Sequence, residues 1–136
     1  MKFKKNILLV ILILTGNLYA QTQSQRLGKA TIDYVDAIAW ARGLKDSKCG
    51  KFERNENELW KNPAQAIEFA IKNAEKYTTP REREIMKKEL QDLVKYSRKQ
   101  NFDFYNSLPL SDCEMVVKQF QNEYAKRITT YKSLLN

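Results

Sequence analysis

The chain has 136 residues, with 24 Lys+Arg against 16 Asp+Glu, two Cys, two Trp and no His. One compact domain fits that length. The lack of histidine excludes a Ser-His-Asp triad, a Cys-His dyad, His-ligated zinc or haem, and an imidazole switch near neutral pH.

The opening residues form a separate segment. Lys2, Lys4 and Lys5 precede the apolar run Ile7–Leu14, Thr15-Gly16-Asn17 breaks it, and Leu18-Tyr19-Ala20 ends on a small residue before polar Gln21. That order is what a signal peptidase reads, so residues 1–20 are expected to be a signal peptide and 21–136 a single helical domain. Removing the three lysines takes the net charge from +8 to +5. As a helix, the apolar run would rise only about 12 Å against a hydrocarbon core of roughly 30 Å, so no membrane span is expected. The expected destination is the periplasm in a Gram-negative cell and the exterior otherwise. In such an oxidising compartment Cys49 and Cys113 are expected to pair. There is no C-x-x-C motif for thioredoxin-like redox chemistry or haem attachment, and two sulfurs without histidine make a poor zinc site. No metal and no cofactor are expected.

Periodicity then predicts helices along the chain. Over 24–44, Leu27, Ala30, Tyr34, Ala37, Ile38, Ala41 and Leu44 form one apolar stripe, and Gly43 with Asp46–Gly50 is expected to end it. Residues 50–62 read as a polar connection anchored by Trp60. Asn62-Pro63 reads as a cap and first-turn proline opening a helix over 63–77, with Ala66, Ile67, Ala70, Ile71, Ala74 and Tyr77 inward. Thr79-Pro80-Arg81-Glu82 opens the next, over 80–100, as a capping box, with Met86, Leu90, Leu93 and Val94 inward. The pattern lapses over 101–109, and Leu108-Pro109 argues against a continuous helix there. Ser111-Asp112-Cys113-Glu114 repeats the capping-box logic ahead of a helix over 112–135, with Val117, Phe120, Tyr124, Ile128, Tyr131 and Leu135 inward. Four helices with short connections predict an all-α fold, an antiparallel four-helix bundle stapled by one disulfide.

Catalytic groupings are weak. Asp33 and Asp36 lie one turn apart, but Lys29 precedes Asp33 by four residues and the trio reads as a solvated face. Glu53–Glu58 alternates oxygen donors yet lacks the glycine and twelfth-position acid of a calcium loop. There is no Ser-x-x-Lys, no Gly-x-Ser-x-Gly and no phosphate-cradling glycine loop, so no enzyme activity is expected. From Lys72 to Lys99 basic residues are interleaved with acids, which describes a solvated exterior rather than a nucleic-acid groove, and no nucleic-acid partner is expected. The aromatics are more suggestive. Phe102, Phe104 and Tyr105 fall together in the connection between the last two helices, and Phe52 and Trp60 fall in the other long connection. These rings either plug the end of the bundle or contact another protein, as aromatic hot spots do.

The leader Met1–Ala20, the helix containing Tyr34-Val35-Asp36-Ala37, Cys49-Gly50 and Cys113 together resemble the architecture of the small periplasmic immunity proteins of type VI secretion. Members of that family bind and block peptidoglycan amidase effectors. The resemblance implies a binder that occludes an exported toxin or cell-wall hydrolase, and it transfers no binding residue. Two other classes share the outline. One is a periplasmic acid-stress chaperone, whose response here would come from Asp and Glu around pH 3–5. The other is a component of the envelope or of a secretion apparatus.

Overall fold

The computed structural model describes residues 21–53 and 62–135. The expected leader and Trp60 lie outside the described residues. Four helices run α1 Gln21–Asp46, α2 Pro63–Asn73, α3 Pro80–Ser107 and α4 Cys113–Ser133, joined in part by 3-10 turns at Lys48–Phe52, Glu75–Tyr77 and Leu110–Asp112. No strand occurs among the described residues.

Two helix starts follow directly from their cap residues. The Asn62 side chain accepts a hydrogen bond from the Ala64 N–H at 2.9 Å, with Pro63 at the first helical position. At α3, the Thr79 hydroxyl accepts from the Glu82 N–H at 3.2 Å, while the Thr79 N–H donates to the Glu82 carboxylate at 2.9 Å. Together these satisfy two otherwise orphaned backbone donors. The box expected at Ser111–Glu114 does not form. Asp112 has helical backbone angles and caps nothing with its side chain, because a 3-10 turn leads the chain straight into α4. A capping side chain needs an extended residue at that position.

The helices form an up-down-up-down bundle with α1 at its centre. Gln23 donates to the Leu134 carbonyl at 3.4 Å, Arg127 to Asp36 at 2.7 Å, Trp40 meets Phe120 with ring centroids 4.9 Å apart, and Cys49 is bonded to Cys113. Rising numbers on one helix against falling numbers on the other make α4 antiparallel to α1. By contrast, Gly43 lies against Arg98–Phe102, and the Lys48 N–H donates to Asn106 at 2.8 Å, so α3 runs in the same direction as α1.

Because α2, α3 and α4 all pack on α1, its burial is nearly all-round. The expected stripe is buried from Leu27 to Leu44, and so are Thr31, Ile32, Val35 and Ala39 on the other faces. Thr31 tolerates this by donating its hydroxyl to the Leu27 carbonyl at 2.6 Å. Gly43 does not end the helix, as its residue type suggested. A Cβ there would stand 2.5 Å from the Arg98 carbonyl oxygen and 3.0 Å from the Phe102 nitrogen, so the glycine is what lets α1 approach α3.

The third helix is also longer than its apolar pattern. It continues past residue 100 to Ser107 and stops where Leu108, extended at φ −78°, ψ 149°, precedes Pro109. Its buried line is Met86, Leu90, Leu93, Ser97 and Tyr105. Polar Ser97, with Asn101 donating to its carbonyl at 2.8 Å, interrupts the apolar signal without interrupting the helix.

The disulfide joins Cys49, in the turn after α1, to Cys113, the first residue of α4, with Cα atoms 5.2 Å apart and a sequence separation of 64. By the chain-entropy model such a loop closure is worth about 4 kcal/mol, set against a usual domain stability of about 5–15 kcal/mol.

Candidate functional site

The end of the bundle that holds the disulfide gathers the last turns of α3, the Leu110–Asp112 turn, the first turn of α4 and the Lys48–Phe52 turn. It therefore contains every described aromatic singled out from the sequence, though not as one cluster. Residues 102, 104 and 105 are helical, and successive helical residues are rotated by about 100°, so the three rings leave the axis in different directions.

Tyr105 turns inward and is 2% exposed. Its hydroxyl accepts a hydrogen bond from the Trp40 indole N–H at 2.6 Å. Burial pushes its phenol above the usual range, partly offset by that bond. A ring so enclosed packs the bundle and offers a partner no surface, which corrects the expectation of Tyr105 as a contact residue. Phe104 is 51% exposed and Phe102 37% exposed. Phe102 borders a shallow groove with Asp46, Val94 and Arg98, over which Arg98 pairs with Asp46 at 2.8 Å. Phe52 is half-buried against the core, with the Lys51 ammonium 5.4 Å from its ring centre. Trp60 lies outside the described residues.

Two contributors escaped the sequence reading. Leu110 and Met115 are 48% and 57% exposed, and they flank Cys113 on the turn and in the first turn of α4. Met115 sits off the Val117–Phe120–Tyr124 stripe, which was a usable signal. Leu110 carried none beyond following Pro109. Isolated exposed apolar residues are ordinary, but Phe104, Leu110 and Met115 fall within one helical hairpin beside a covalent staple.

Behind this end, Trp40 links the surface to an ionic cluster. Its ring meets Phe120, and the Arg127 guanidinium lies 5.4 Å from its centre. Arg127 donates to Asp36 at 2.7 Å and to Glu123 at 3.1 Å. Burial alone would lower the pKa of this guanidinium, but the bonds to Asp36 and Glu123 raise it on balance. The reading of Asp36 as a solvated surface acid is thus corrected: its partner lies on α4, too distant in sequence for a helix-face spacing rule to reveal. Among the described residues no group of three or more Cys, Asp or Glu is placed to hold a metal ion. No described helix is long and apolar enough to cross a membrane.

Compared with known protein-family models, curated proteins and solved structures, the chain matches none.

Proposed function

We propose that this chain is an exported, non-enzymatic protein-binding protein, an immunity protein or inhibitor that acts by covering a cleft on an exported toxin or cell-wall hydrolase. The observation that supports this reading best is the exposure of Phe104, Leu110 and Met115 on the hairpin next to Cys49–Cys113. A helical hairpin held by a disulfide has little backbone freedom left to lose on docking, which is how pre-organised surfaces gain affinity. The disulfide also supports export, since such bonds persist in oxidising compartments.

The test is affinity capture from envelope extract with the wild-type protein and with a Phe104→Ala/Met115→Ala variant, followed by assay of the captured partner's hydrolytic activity. A stoichiometric complex that silences the partner is expected, weakened by about 2 kcal/mol or more in the variant. Equal recovery by both proteins would move the contact elsewhere. An acid-stress chaperone would instead take up an apolar-surface dye near pH 3 with no stoichiometric partner at neutral pH, and an envelope component would co-fractionate with membrane complexes.

A further inference from the structure

A second region, away from the disulfide and independent of the reading above, has the makings of a ligand site. Between α1 and α4 lies a groove of about 430 Å³, lined by Arg26, Lys29 and Asp33 from one helix and by Glu123, Lys126 and Arg127 from the other. Spacings of three and four residues place each trio on a single helix face. Ala30, Thr130 and Leu134 complete the lining.

The charges in this groove do not cancel in pairs. Arg127 is already engaged by two carboxylates, Asp36 and Glu123. Arg26, Lys29 and Lys126 form no ion pair with any described residue, and Asp33 accepts no hydrogen bond from one. Burial raises the Asp33 carboxyl above the ordinary range; Arg127 and Lys29 oppose the shift, and Asp36 and Glu123 reinforce it. Arg26, Lys29 and Lys126, which form no ion pair among the described residues, thus share with Asp33 a concave site at the small end of the roughly 300–1,000 Å³ range of ligand pockets. A bare anion such as phosphate would meet Asp33 and Glu123 as well as the cations. A molecule bearing both signs would not suffer that repulsion.

We propose that this groove binds a short acidic peptide with a free amino end, its carboxylates directed to Arg26, Lys29 and Lys126 and its ammonium to Asp33. The size of the groove matches two or three residues rather than a folded partner. Complementary charge supplies the selectivity, and the apolar stretch of Ala30 and Leu134 accepts the peptide's methylenes.

The experiment is a titration of the ¹⁵N-labelled protein with the dipeptide Glu-Glu, followed by backbone amide shifts. Saturable shifts confined to residues 26–33 and 123–134 are expected. Lys29→Ala/Lys126→Ala removes two exposed side chains that form no ion pair with any described residue, and should weaken binding about tenfold while leaving the far-ultraviolet circular dichroism unchanged. Acetylating the dipeptide's amino end should also weaken it in the wild type and have no effect in Asp33→Asn. The proposal is overturned if shifts do not saturate by about 10 mM dipeptide, or if the double variant binds within about twofold of wild type. It is equally overturned if inorganic phosphate or the acetylated dipeptide binds as well as the free one.

Discussion

The two ends of the bundle hold α1 against α4 by different means. At one end a covalent bond between Cys49 and Cys113 does so. Toward the other, Arg127 bridges Asp36 and Glu123, and Tyr34 stacks on Tyr131 at 4.4 Å, with the Tyr131 hydroxyl accepting from Asn73 at 3.1 Å. Beside the bond, Tyr105 and Phe120 are buried while Phe104, Leu110 and Met115 remain in water. Where noncovalent contacts close it, Tyr34 and Tyr131 are consumed in packing, Phe69 beside them stays 41% exposed, and the groove between α1 and α4 is lined mainly by charged side chains. The two proposed sites differ accordingly: the first offers apolar side chains and the second mainly charged ones.

Removing the bond should break this contrast most severely. Cys49→Ala/Cys113→Ala is expected to lower stability by about 4 kcal/mol in urea unfolding. Loss of hydrogen-exchange protection in the variant should concentrate at residues 44–53 and 105–117; uniform loss across both ends would mean the ends do not differ as argued. Gly43→Ala strains the same end without touching the bond. Its new methyl meets the Arg98 carbonyl, and an overpacked interior site of this kind costs about 1–3 kcal/mol. A thermal midpoint equal to wild type would show that α1 and α3 separate freely.

Asp33→Asn sharpens the contrast from the charged end, with the smallest effect and the opposite sign. Burial raises the folded-state pKa of Asp33, so the folded chain holds this proton more tightly than the unfolded chain. The stability contributed by that protonation is complete below the ordinary carboxylate value of about 3.9 and is lost as pH rises through the raised one. Asparagine mimics the neutral form. It should stabilise the protein at pH 7, with the gain shrinking toward pH 3, as read from urea midpoints at the two values. A variant less stable than wild type at pH 7 would mean that attraction from Arg127 and Lys29 outweighs desolvation.

Local chemistry made much of this fold legible. The Thr79–Glu82 box, the Asn62-Pro63 start and the α4 stripe from Val117 to Tyr131 all depend on residues within a few positions of one another, and each is found where the pattern put it. The length of α3 was less legible because Ser97 and Asn101 occupy its inward line as polar residues that satisfy each other. Tyr105 was misplaced for the same reason: reading residues 101–108 as irregular removed the rotation that separates it from Phe104. The pairing of Asp36 with Arg127 could not be read at all, since nothing local marks two helices as neighbours. The groove that depends on this pairing was equally invisible.

The enclosure of α1 has a consequence for how the molecule is assembled. Its apolar faces are shielded by three helices, and α4, which carries Cys113, comes after the other two in chain order. The apolar faces of α1 thus stay uncovered until α4 has followed, and sulfur pairing waits for the same moment. A version truncated before α4 should aggregate rather than persist as a partial scaffold.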